Sequence, residues 1–224
     1  NAPTLWWCEG PYKVSRDRSA PEVRDPVVRL SAAGNEFEAA QVVLRFGQPL
    51  EDFTATVEGP EGLPGVRWTV DQVAYHYVSR PTDEAGCVGW WPDALPPLRE
   101  PIRLEPDQNH PFWLTVYVPP DSRPGTYRAQ LRISADGYRA SVPIELRVYG
   151  FSLSKQPHLE SGFGLSEGTI AQYHNLTSAK DRRQVWDLYM QNFRDHRLSP
   201  YSFAPFDPFQ IRLSGGADAW QGGA

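Results

Sequence analysis

The chain has 224 residues, 40% of them hydrophobic and 22% charged, with a net charge of −5, which leaves room for one large domain or two small ones around a real core. The acidic balance and the scattering of single Lys and Arg residues exclude the basic face that a nucleic-acid partner requires. No apolar run reaches the roughly 18 residues that span a bilayer, so no membrane partner is expected.

The N-terminus, NAPTLWW, carries neither an initiator Met nor a signal-peptide apolar region. From there, alternation of apolar and polar residues, the period of a half-buried strand, dominates the first two thirds of the chain. It predicts strands at Leu5–Val14, Val27–Ser31, Glu36–Phe46, Phe53–Glu58, Val66–Val78 and Pro111–Val118. Trp6, Trp68 and Trp113 alternate within these strands and read as sheet packing. The connection from Arg80 to His110 has little regular structure in this reading, and long loops of that kind are usually functional or packed onto something.

Tyr127, Ala129, Leu131 and Ile133 then face one way, with Arg128, Gln130 and Arg132 on the other side. After Asp136-Gly137 the pattern repeats with Val142, Ile144, Leu146 and Val148, so the pair reads as a hairpin closed by a primed turn. Pro143 lacks an amide donor and points to an edge strand or a bulge. Eight or so strands with no convincing helix before residue 150 predict a mainly β first domain, residues 1–154, as an antiparallel two-sheet β-sandwich.

Near Phe151 the pattern changes. Ser178 with Asp181 three residues later forms a capping signature, and Val185, Leu188, Tyr189 and Phe193 recur at helical spacing, giving the one strong helix, residues 178–196. Candidate strands flank it at Leu159–Leu165 and Arg197–Phe203. Strand, helix and strand in that order predict that residues 155–224 are the first βα units of a (β/α)8 barrel. A complete barrel needs about 250 residues, and the tail SGGADAWQGGA offers no closing element. The expectation is therefore an N-terminal part of a longer protein, against the alternative of a self-contained sandwich with a small α/β appendage.

Two stretches invite a chemical reading. Asp83-Glu84 is a neighbouring carboxylate pair, but its Pro- and Gly-flanked setting between sandwich strands reads as a solvated turn. Trp90-Trp91 either stacks on the C–H face of a sugar, pins the two domains together, or packs within its own loop. Barrel sites form at the C-terminal ends of strands. Glu167 and His174 after the first barrel strand, and Asp207 after the second, therefore join Trp90 and Trp91 as candidate substrate contacts. The histidines lack metal-ligand spacing, so no metal is expected, and there is neither a Gly-rich phosphate loop nor a Gly-x-Ser-x-Gly elbow. Cys8 and Cys87 are either a disulfide or two free thiols.

Several fragments in order carry a family resemblance: Leu5-Trp6-Trp7 leading to Lys13-Val14; Ala33-Gly34-Asn35-Glu36 with Glu38 and Gln41-Val42-Val43-Leu44; Trp91-Pro92-Asp93-Ala94-Leu95; Val118-Pro119-Pro120-Asp121 with Pro124-Gly125-Thr126-Tyr127; and Asp195-His196-Arg197-Leu198-Ser199-Pro200. Together they resemble glycoside hydrolase family 123, with its sandwich ahead of a catalytic barrel. The resemblance implies a retaining exo-glycosidase acting on β-linked N-acetylgalactosamine by substrate-assisted catalysis. In that chemistry the sugar's acetamido oxygen attacks the anomeric carbon, an Asp stabilises the oxazoline-like species, and a neighbouring Glu protonates the leaving oxygen. No position of this chain matches the Asp–Glu pair, so the catalytic residues are expected beyond Ala224. A carbohydrate substrate, no cofactor, and a secreted or periplasmic rather than cytoplasmic setting go with it. The rival readings are a non-catalytic carbohydrate-binding or structural module, and a related barrel glycosidase whose sugar lacks an acetamido group.

Overall fold

The computed structural model describes residues 3–156, 158–202 and 204–207 and is mainly β. It divides into two compact units at Leu153/Ser154.

The first unit contains eleven strands: β1 (Thr4–Glu9), β2 (Val28–Gly34), β3 (Glu36–Arg45), β4 (Leu50–Glu58), β5 (Arg67–Gln72), β6 (Tyr75–Val78), β7 (Gly89–Pro92), β8 (Ile102–Leu104), β9 (His110–Val118), β10 (Gly125–Ala135) and β11 (Tyr138–Ser152). They form a four-stranded sheet, β1-β3-β9-β5, a five-stranded sheet, β2-β11-β10-β4-β8, and a two-stranded ribbon, β6-β7. The pairing is antiparallel except between β11 and β2, which run parallel.

The two larger sheets share one core because the period-2 positions of each are apolar. Val28, Leu30 and Ala32 of β2, Ala129, Leu131 and Ile133 of β10, and Val142, Ile144, Leu146 and Val148 of β11 bury against Val42 and Leu44 of β3 and Phe112, Leu114 and Val116 of β9. Phe53 of β4 and Phe112 of β9 stack across the layer with centroids 4.5 Å apart.

The strand predictions need five corrections. The span Leu5–Val14 ends early, at Glu9, and the residues beyond it are a loop. Val66–Val78 is two strands, β5 and β6, separated at Val73-Ala74. The stretch Arg80–His110 contains β7 and β8, whose three or four residues are too short to display a period. The β10-β11 turn is not primed, since only Gly137 of its two loop residues takes a left-handed φ, 68°. Pro143 lies inside a five-stranded sheet, yet β2 pairs with β11 only from Ile144 onward, so Pro143 needs no donor on that side.

β2 turns into β3 through Asn35 alone, at φ 58°, a conformation Asn tolerates. Gly34 before it is obligatory for space, because a Cβ there would come 2.6 Å from the Pro120 carbonyl oxygen.

In the second unit, α1 (Glu167–Tyr173) and α2 (Ala179–Asp195) each begin with a serine cap. Ser166 Oγ accepts from the Thr169 amide at 3.2 Å and Ser178 Oγ from the Asp181 amide at 3.0 Å. The helix α1 is an addition to the prediction; its seven residues are too few for a helical repeat. Along α2 the buried residue is Trp186, which meets Phe206 edge-on at 6.2 Å, whereas Leu188, expected on the apolar face, is 57% exposed. The predicted strands at Leu159–Leu165 and Arg197–Phe203 reduce to one parallel bridge, Phe163 with Pro200. It is held by Phe163 N–H to Ser199 O at 3.0 Å and Tyr201 N–H to Phe163 O at 3.1 Å. Phe203 and the tail from Ser214 lie outside the described residues.

Candidate functional site

In the first unit the candidate surface is built on the loop that follows β1. Gln41 of β3, almost fully buried, donates through Nε2 to the carbonyls of Gly10 at 2.8 Å and Tyr12 at 2.7 Å. Asn109, equally buried, donates to Ser15 O at 2.8 Å and Arg18 O at 2.7 Å, and its own amide reaches Arg16 O at 2.8 Å. Tyr75 of β6 gives its phenol proton to Val14 O at 2.9 Å. Burial pushes the Tyr75 phenol up, against the opposing pull of Arg16. These bonds tie the loop to the sheet and to the ribbon at once.

Arg16 is thereby carried to the ribbon, where its guanidinium carbon lies 4.5 Å from the Trp90 ring centroid. It is steadied there by Gln108 Oε1. The β6-β7 register places Trp90 opposite Tyr77 and Trp91 opposite His76. Successive side chains of a strand face opposite ways, so the two tryptophans belong to different faces. Trp90 meets Tyr77 edge-on at 5.4 Å and has Arg16 on its ring. Trp91, 40% exposed against 47% for Trp90, donates its indole N–H to Cys87 O at 2.8 Å. The grouping of Trp90 with Tyr77 and Arg16 is not visible in the sequence, where β5 and β6 read as one strand.

Asp83 is occupied locally: Oδ1 accepts from the amides of Ala85 at 3.0 Å and Gly86 at 3.1 Å, a side-chain-closed turn. Cys8 and Cys87 are both free thiols. Burial, helped by Glu9, pushes Cys8 up to about 11, so it is a poor nucleophile at neutral pH.

In the second unit, Glu167, His174 and Asp207 all lean on α2 but are not brought together. Glu167 Oε1 stands 3.5 Å from Arg182 Nη1, an ion-pair distance, and accepts no hydrogen bond although it is buried. His174 closes α1 and its Nε2 is 3.0 Å from the Tyr189 hydroxyl. Asp207 Oδ2 pairs with Arg183 at 2.8 Å, and Arg183 also bonds Asp187 at 3.3 Å. Between α1, α2 and Tyr201 lies a groove of about 490 Å³. Ser166, Thr169, Ile170, Tyr173, Tyr189 and Tyr201 line it, none of them charged and none predicted from the sequence as a ligand contact. His174 touches this groove only through Tyr189, while Glu167 and Asp207 do not line it.

Among the described residues no group of three or more His, Cys, Asp and Glu side chains is placed to hold a metal ion. No helix among them is long and apolar enough to cross a membrane.

No protein-family model matches the sequence, and no curated protein does. Among solved structures, a family 123 glycoside hydrolase from Clostridium perfringens, studied for glycolipid glycan hydrolysis, superposes with a TM-score of 0.69 at 12% identity. The match covers 88% of this chain. The likeness is one of fold. It takes in 37% of that hydrolase chain, so the present chain spans little more than a third of its length. The CupB2 chaperone of Pseudomonas aeruginosa aligns over 54% of this chain and 53% of its own, at 14% identity, with a TM-score of 0.32. A FixG-related protein from Vibrio parahaemolyticus aligns over 69% and 99%, at 12% identity, with a TM-score of 0.33. Scores that low carry no functional argument. The glycosidase-like fold is the finding that remains.

Proposed function

We propose that this chain is the N-terminal portion of a retaining exo-glycosidase that removes β-linked N-acetylhexosamine, N-acetylgalactosamine in particular, by substrate-assisted catalysis. On this reading residues 1–154 are a β-sandwich and residues 155–224 are the opening βα units of a (β/α)8 barrel whose catalytic Asp–Glu pair lies beyond Ala224. The observation that carries it is the superposition on the family 123 hydrolase over 88% of the chain. The parallel Phe163–Pro200 bridge, with α1 and α2 between its two residues, has the direction of pairing that a barrel uses. Trp90, Trp91, Glu167, His174 and Asp207 are its proposed glycan contacts, and a secreted or periplasmic setting suits a glycan substrate.

The test is hydrolysis by the full-length protein of two aryl glycosides, a β-N-acetylgalactosaminide and a β-galactoside. Cleavage confined to the first is expected, since only that sugar carries the acetamido nucleophile. Cleavage of the β-galactoside instead would make this a barrel glycosidase of ordinary nucleophile type. Glycan binding with neither substrate cleaved would make it a binding module.

A further inference from the structure

The groove between α1 and α2 has properties that restrict what fits it. Its volume of about 490 Å³ falls within the roughly 300–1,000 Å³ of small-molecule sites. Among the described residues none that lines the groove carries a charge, so these walls favour a neutral ligand over a phosphate, a carboxylate or an ammonium. What the walls supply is three phenol rings, from Tyr173, Tyr189 and Tyr201, beside the apolar Ile170.

A phenol offers a flat apolar face and a hydroxyl that both donates and accepts. A neutral pyranose is the complement: its C–H face stacks on a ring while its equatorial hydroxyls bond outward. Ser166 and Thr169 bond each other: Ser166 Oγ accepts from the Thr169 amide at 3.2 Å and from Thr169 Oγ1 at 3.0 Å. The three tyrosine hydroxyls are the largest set of donor-acceptor groups on the walls, beside the remaining Ser166 proton. Tyr173 and Tyr201 stand 82% and 71% exposed, and Tyr189 is oriented by His174 at 3.0 Å. Gly164 allows this layout, because a Cβ there would come 2.6 Å from the Tyr201 hydroxyl.

We propose that the tyrosine groove formed by Tyr173, Tyr189 and Tyr201 is a pyranose subsite that holds one ring of the glycan substrate, with His174 as the residue that positions Tyr189. The assignment deepens the hydrolase reading and rests on it for the identity of the sugar.

The experiment uses the full-length protein with N-acetylgalactosamine and methyl β-N-acetylgalactosaminide as probes, their binding followed by calorimetry and ligand-observed NMR. Tyr173→Ala removes one ring and Tyr189→Phe only a hydroxyl, and a thermal melt of each variant checks that the fold is kept. Each is expected to weaken probe binding about two- to tenfold, the scale of one aromatic or hydrogen-bond contact. His174→Gln, which can still bond the Tyr189 hydroxyl, should bind more tightly than His174→Ala. Wild-type binding by both tyrosine variants overturns the subsite, as does a wild-type protein that binds neither probe. Probe binding that falls in the variants, in a protein that hydrolyses no glycoside, keeps the subsite and removes the hydrolase reading. Normal hydrolysis with unaltered probe binding in the variants does the reverse.

Discussion

The Arg16 guanidinium carbon sits 4.5 Å from the centroid of the Trp90 ring, although the two residues come from segments with no strand pairing between them. Gln41, Asn109 and Tyr75 make this contact possible by fixing the loop that carries Arg16. Partly exposed contacts of this kind contribute about 0.5–1 kcal/mol. Arg16→Ala should therefore lower stability in urea by about that amount and change Trp90 fluorescence. Trp91→Ala, on the other face of the ribbon, loses the bond to Cys87 O and should leave the Trp90 emission as it is in the wild type. A Trp90 emission unaltered by Arg16→Ala but shifted by Trp91→Ala would contradict the assignment of Arg16 to the Trp90 face.

Phe53 and Phe112 couple the two large sheets, and both are almost wholly buried. Phe53→Ala should cost about 3–5 kcal/mol, the range for emptying an aromatic site in a core. His76→Ala, at an exposed position of β6, should cost less than about 0.5 kcal/mol. Chemical denaturation monitored by tryptophan emission separates the two.

Titration gives the first unit a stability window closed at both ends. Cys8 holds its proton up to about 11 in the folded chain against an ordinary value of 9.0, so between those values the folded state binds more protons than the unfolded one. Stability therefore falls as pH rises through that interval. Burial lowers His110, so the unfolded chain takes up its proton first and stability falls as pH drops below about 6.5. Thiol labelling provides a second check. At pH 8, exposed Cys87 should react with a maleimide promptly, and Cys8 only after denaturant is added.

Ser178→Ala removes the hydroxyl that accepts from the Asp181 amide and should destabilise α2 by about 1 kcal/mol, whereas Ser178→Asp should retain most of the cap. Amide exchange in the first turn of α2 reads this directly. Unchanged protection in the alanine variant would show that the cap contributes nothing.

What could be read from the sequence follows from how far apart the determining residues lie. Val142, Ile144, Leu146 and Val148 display their buried face within one strand, and Ser178 and Asp181 announce a helix within one turn, so these elements were visible in advance. The ribbon was not, because the four residues of β7 show no period and their place is set by Tyr75 bonding Val14 far away in the chain. The same holds for the candidate sites. Trp90 and Trp91 stood out as a pair, yet only the register with Tyr77 and His76 separates them. Tyr173, Tyr189 and Tyr201 carry no common motif and meet only because α1 and α2 pack beside the Phe163–Pro200 bridge.

The configuration of the first product tests the proposed glycosidase most directly. Proton NMR of the full-length protein acting on an aryl β-N-acetylgalactosaminide should show the β-anomer of N-acetylgalactosamine first, with the α-anomer appearing only by slow mutarotation. An α-anomer formed first, or no released sugar at all, would contradict the account.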